Sequence, residues 1–158
     1  MLALVAKYQN TQQIGLKLLK QLVSSPENVT LSNIVAWVDV ISSFTHQMCP
    51  IPGAIEAMEI LYSLFARVAQ LQSSTLGLQE EQGNNRVLLC DFLKEWNSLW
   101  FPVFNMFCTL CADPRLEVRN CAVNYMQRCL LSPYLDSLAP LACYNVFHQV
   151  IKYSLYLF

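Results

Sequence analysis

Cys108 and Cys111 stand in a Cys-x-x-Cys spacing, the arrangement used for dithiol redox chemistry or for half of a tetrahedral zinc site. Redox use requires an accessible thiol at a helix start following a strand, and zinc requires a second pair at matching spacing. Neither context is present: Cys108 follows Phe107 and Cys111 follows Leu110 at the end of an apolar run, where small buried thiols fill a core. His46 and His148 are the only histidines, and no turn carrying a nucleophile flanks either. Asp91, Glu95, Asp113 and Glu117 are carboxylates at helical spacing, the pattern of a solvated face rather than of an acid–base pair across a cleft. No residue is assigned a catalytic, cofactor-binding or metal-ligating role. Two groups remain as candidate interaction surface. Arg115 and Arg128, with Arg119, can line one ridge facing an anionic lipid or acidic partner. The competing reading makes Arg119 a repeat-stacking ion pair and leaves the other two solvated. Trp96 and Trp100, followed by Phe101, can anchor a partner, although their place in a continuous apolar run favours packing between hairpins.

The elements that would position these residues follow from composition. Of 158 residues, 54 % are apolar and 13 % charged, about half the charged share of an ordinary domain, so most apolar side chains need cover from the chain or from a neighbour. A net charge of −1 without a basic run argues against nucleic acid as a partner. Four glycines are too few for a phosphate cradle or a turn-dense all-β fold. Met1–Ala6 is short and lacks a basic leader, so no signal peptide is expected. Trp96–Ala112 is charge-free but interrupted by Asn97, Pro102 and Asn105, which excludes a transmembrane span there. Seven cysteines without framework spacing read as reduced thiols in the cytosol.

Apolar residues recur at helical steps throughout. Leu4 to Val23 forms a first segment, ended by Ser24-Ser25-Pro26. A second begins at Ser32 or Asn33 and carries Ile34, Val38, Ile41 and Phe44; its β-branched residues also suit a strand, but its length favours a helix. Cys49-Pro50-Ile51-Pro52-Gly53 reads as a firm stop, and Ala54–Leu71 as a third helix. The polar stretch 73–86 is expected to be a mobile loop. Beyond it, Val87–Ala112 is apolar and aromatic. Asp113 is an N-cap candidate and Pro114 suits a first helical position; Val118 and Ala122 then share one helix face, and Arg119 can reach back to Asp113. A last apolar helix follows Ala139-Pro140. The chain thus divides into about three helices over 1–72, the loop 73–86, and further repeats over 87–158. The implied fold is all-α, a HEAT/armadillo-like α-solenoid of stacked helical hairpins, with Asp113, Pro114, Val118, Arg119 and Ala122 as the repeat turn.

From Leu99 onward the chain resembles a specific family. Leu99-Trp100-Phe101-Pro102-Val103, then Leu110-Cys111-Ala112-Asp113-Pro114-Arg115-Leu116-Glu117-Val118-Arg119-Asn120, then Tyr125-Met126-Gln127-Arg128-Cys129-Leu130-Leu131, is similar to the large Golgi-type (brefeldin-A-resistance) exchange factors for ARF GTPases. The similarity is to their helical homology regions downstream of the Sec-seven catalytic domain. That domain and its glutamate finger are absent from these 158 residues, so no exchange activity transfers to any residue here. The resemblance implies a regulatory and scaffolding segment, cytoplasmic and peripheral to Golgi membranes. Its expected partners are other helical regions of the parent chain, Golgi trafficking proteins and an anionic membrane surface. A free-standing HEAT-like adaptor unrelated to ARF is the alternative. The last residues, Tyr153–Phe158, are apolar without a polar finish, so truncation of a longer solenoid is expected.

Overall fold

The computed structural model describes residues 9–76, 99–133 and 148. Among the described residues five α-helices carry the fold: α1 (Gln9–Ser24), α2 (Ile34–Thr45), α3 (Ile51–Leu76), α4 (Phe101–Cys111) and α5 (Leu116–Leu130). A short 3-10 turn, Pro26–Asn28, follows α1.

Local chemistry sets most boundaries. α1 buries Gln12, Leu16, Leu19 and Val23 at three- and four-residue steps. It ends where Ser24 Oγ donates to the Lys20 carbonyl at 2.7 Å and Ser25 Oγ to the Gln21 carbonyl at 3.2 Å, which satisfies two carbonyls of the last turn. Pro26 holds Ser25 extended and prevents continuation. The loop into α2 is tied by asparagine: Asn33 Nδ2 donates to the Asn28 carbonyl at 2.8 Å, and Trp37 Nε1 donates to the same oxygen at 3.2 Å. α2 buries Ile34, Val38, Ile41 and Phe44, so packing of one face outweighs the weak helix propensity of its β-branched residues.

The prolines before α3 do not act only as a stop. The helix starts at Ile51, ahead of the expected Ala54, because Pro52 in the first turn has no N–H that an intrahelical bond requires. Ala54 N–H already donates to the Pro50 carbonyl at 3.1 Å. Gly53 lets α1 approach: a Cβ there would lie 2.7 Å from Gln12 Nε2. At the other end α3 runs to Leu76, so Ser73–Leu76, expected in the polar loop, form its last turn. Extending an existing helix costs far less than nucleating one, which lets a polar sequence continue it. Residues 77–86 of that loop, Trp96, Asp91, Glu95 and the last apolar helix lie outside the described residues.

The long α3 is the spine and touches each of the other four helices. α1, α3 and α5 pack side by side as one layer, with α2 against α4 as the second, and the hairpins α2–α3 and α4–α5 cross between them. The described residues are all-helical and form an α-solenoid. Its core is continuous from Leu16 and Leu19 through Leu61, Leu64, Phe65 and Val68 to Phe104, Phe107 and Val118. Phe65 is its aromatic hub, edge-on to Trp100 at 5.0 Å and to Phe104 at 5.9 Å between centroids. Trp100 is 1 % exposed, so it packs between hairpins and presents no surface anchor.

Truncation of this hub is expected to be costly. Phe65→Ala should lower stability by about 3–5 kcal/mol, whereas Leu131→Ser, at a side chain 82 % exposed, should stay within about 0.5 kcal/mol of the parent. Urea unfolding followed by far-UV circular dichroism measures both.

Candidate functional site

The turn between α4 and α5 holds the densest polar arrangement among the described residues. α4 closes with Ala112 N–H on the Thr109 carbonyl at 3.2 Å and Asp113 N–H on the Leu110 carbonyl at 3.1 Å. Asp113 is buried, and its Oδ1 accepts from the Arg115 backbone N–H at 2.9 Å, an Asx-type turn across Pro114. The residue at the cap position of α5 is therefore Arg115, extended at φ −80° and ψ 117°, with the helix starting at Leu116. Asp113 is not the N-cap, and Pro114 precedes the helix instead of occupying its first position. The Asx turn takes the carboxylate two residues too early to reach the free amides of α5.

That carboxylate has a different partner. Arg115 Nε donates to Asp113 Oδ1 and Nη2 to Oδ2, both at 2.8 Å, a bidentate pair. The remaining guanidinium hydrogens cross to the α2–α3 turn: Nη2 donates to the Thr45 carbonyl at 2.7 Å, and Nη1 to the Cys49 carbonyl at 2.8 Å and the His46 carbonyl at 3.4 Å. All five guanidinium N–H groups are thus engaged. Thr45 ends α2 and His46 follows it, so the cation also sits at the negative end of that helix. The hydrogen bond from Arg115 holds the Asp113 carboxyl below the usual carboxylate range, against the opposing effect of burial. Arg115 side-chain exposure is 15 % and Asp113 6 %, so Arg115 is neither solvated nor part of a free ridge.

Arg119 does reach back toward Asp113, but to backbone: its Nη1 donates to the Asp113 carbonyl at 2.8 Å and the Pro114 carbonyl at 3.1 Å. The ion pair considered for Arg119 belongs to Arg115. Val118 and Ala122 are fully buried beneath the turn. Arg128, exposed at the far end of α5, stacks over Tyr62 of α3 at 4.3 Å and over Tyr125 at 5.4 Å from the ring centroids. The sequence contained a signal for the Arg115 pairing. Residues two apart on an extended segment point to one side, and Pro114 favours an extended Asp113.

Four of the described cysteines have the opposite of activated chemistry. Burial, with the neighbouring Cys108 second, pushes the Cys111 thiol up to about 11, and burial pushes Cys129 up to about 12. Cys49 and Cys121 are raised by burial as well. Cys108 Sγ points at Met126 Sδ, 3.7 Å away. His46 is exposed, and its Nδ1 accepts from the Met48 N–H at 3.3 Å; His148 is exposed too. Among the described residues no group of His, Cys, Asp and Glu could hold a metal ion, and no helix is long and apolar enough to cross a membrane.

Residues 100–155 match the family model described as a GBF1-like, tetratrico peptide repeat region. This stretch is similar to a GBF1-like helical repeat. The match begins at Trp100 and includes α4, the Asp113–Arg115 turn and α5. The matched model carries the tetratricopeptide name where the turn phrase suggests HEAT; both are stacks of helix pairs. No solved structure matches the chain.

Arg115→Ala should cost about 3–5 kcal/mol, because it leaves the Asp113 carboxylate buried and unpaired, and Arg115→Lys should recover only part of that. Thermal melts of the two variants against the parent measure the difference. Because the folded Asp113 titrates below its unfolded value of about 3.9, its contribution is complete above that pH and is lost as pH falls through the lower folded value. The acid-unfolding curve of Asp113→Asn should therefore be flatter than the parent's below about pH 4. Mapping of iodoacetamide adducts at pH 8 should show Cys108, Cys111 and Cys129 unmodified in the native chain and alkylated in urea.

Proposed function

We propose that this chain is a non-catalytic scaffolding segment of a Golgi ARF guanine-nucleotide exchange factor, supporting membrane recruitment and partner binding in vesicle transport. The observation that carries the reading is the GBF1-like match at residues 100–155, which includes the arginine-locked turn and its two helices. Raised thiol pKa values and a turn whose charges are internally satisfied suit a surface that binds instead of reacting. In this reading the segment acts at the cytoplasmic face of the Golgi, beside other helical regions of the parent protein. Exchange itself would be carried out by a Sec-seven domain elsewhere in that protein.

Two measurements test it. A fluorescently tagged chain expressed in cells should accumulate on early Golgi membranes, and Arg115→Glu, which breaks the lock, should disperse it. Added to ARF loaded with a fluorescent GDP analogue, the purified chain should leave the release rate unchanged. A diffuse parent chain, or faster GDP release, overturns the reading.

A further inference from the structure

Two serines of the chain stand directly before proline, Ser25 and Ser132, and no threonine does. A proline after the acceptor is the feature that proline-directed serine/threonine kinases select: its ring removes one N–H and biases the acceptor toward extended backbone. The fold treats the two serines differently. Ser132, just past α5, is 7 % exposed, and its N–H donates to the Cys129 carbonyl at 3.2 Å. Ser25, between α1 and the 3-10 turn Pro26–Asn28, is exposed and extended at φ −81° and ψ 119°. Its side chain makes no capping bond to that turn, which is only three residues long. Ser24 and Glu27 beside it are exposed as well. A turn this short at a helix end opens at small cost, so Ser25 can be presented as extended chain without disturbing the core.

The effect of a phosphate there follows from what it meets. Ser25 Oγ donates to the Gln21 carbonyl at 3.2 Å, and the ester oxygen of a phosphoserine has no hydrogen to give. The added charge, about −1.5 to −2 at pH 7, stands at the carbonyl end of α1, the negative pole of that helix, and two residues from Glu27. A phosphate orders a segment when arginine or lysine is within reach and disrupts it otherwise. Between Lys20 and Arg67 the chain holds no lysine or arginine, and Lys20 is turned to Glu59 at 3.1 Å. The disturbance also has a route to α2. Asn28 closes the turn on α1, its N–H donating to the Ser25 carbonyl at 3.1 Å and its Nδ2 to the Leu22 carbonyl at 3.2 Å. The Asn28 carbonyl in turn receives Asn33 Nδ2 and Trp37 Nε1. Opening the turn therefore frees the tie between the end of α1 and the start of α2.

We infer that Ser25 is a phosphorylation site for a proline-directed serine/threonine kinase, and that its phosphate loosens the join between α1 and α2. In the step, the γ-phosphoryl group of ATP passes to Ser25 Oγ: the bond to the ADP oxygen breaks, the Oγ–P bond forms, and the hydroxyl proton goes to the kinase's aspartate base. The inference concerns regulation and stands independently of the Golgi assignment, because both arms of its test use the purified chain. Incubation of the native chain with a cyclin-dependent kinase and, separately, with a mitogen-activated protein kinase, each with ATP and Mg²⁺, tests the site. Phosphopeptide mass spectrometry should find phosphate on Ser25 with at least one of them and Ser132 unmodified. Ser25→Ala, which circular dichroism should show folded like the parent, should remove that phosphate. Hydrogen–deuterium exchange tests the consequence. Amides of residues 21–28 should exchange about tenfold faster in the phosphorylated chain, the combined effect of one lost hydrogen bond and a charge at the wrong end of a helix, while those of α3 stay unchanged. Ser25→Glu should move the same amides in the same direction to a smaller extent. Ser25 left unmodified by both kinases, Ser132 phosphorylated as readily in the native chain, or exchange unchanged or slowed by the phosphate would each overturn the inference.

Discussion

A single guanidinium, that of Arg115, decides how one helical hairpin sits on the next. Its planar fork binds the Asp113 carboxylate along one edge and the carbonyls of Thr45, His46 and Cys49 along the others. These acceptors belong to the two interhelical turns, α4–α5 and α2–α3, so the turns are held in one mutual position. A buried ion pair is a poor source of stability by itself, because desolvation of both ions offsets their attraction. What it supplies here is geometry. Any slide of one hairpin along the other would strand a desolvated cation or carboxylate, and lysine lacks the fork to meet acceptors on several sides at once.

Away from the turns the helices are held by softer contacts. Phe65 meets Trp100 and Phe104 edge-on, while Tyr62 lies against Tyr125 under the guanidinium of Arg128. Such contacts tolerate small shifts, in contrast to the pair at Asp113. The division is reasonable for a solenoid: a directional lock at the turns sets register, and a broad apolar and aromatic interface along α3 supplies most of the burial.

Much of the fold was legible because it follows from periodicity. The buried positions of α2 and α3 recur at three- and four-residue steps, and Ser24-Ser25-Pro26 ends α1 as its chemistry dictates. What periodicity did not convey was the use of a residue by a distant partner. Pro50 to Gly53 reads as a break in isolation, yet two of its features serve a helix start: Pro52 in a turn that needs no donor, and Gly53 against Gln12. Arg115 reads as solvated because its acceptors lie some seventy residues earlier, at the end of another helix. Trp100 was ambiguous between core and surface for the same reason, since only the tertiary contact with Phe65 decides it.

The lock and the open concavity of about 740 Å³ between α2 and α4 are not separate features. Thr45 and His46 contribute backbone carbonyls to Arg115 and also line this concavity, as does Asp113 itself. Fixing these residues fixes the end of α2 against the end of α4, so the concavity's shape is set before any partner arrives. A site whose walls are already ordered loses little conformational freedom on binding, which leaves more of the contact energy for affinity. With the cation of the turn fully consumed by Asp113 and three carbonyls, Asp39 remains the one charge on α2 and α4.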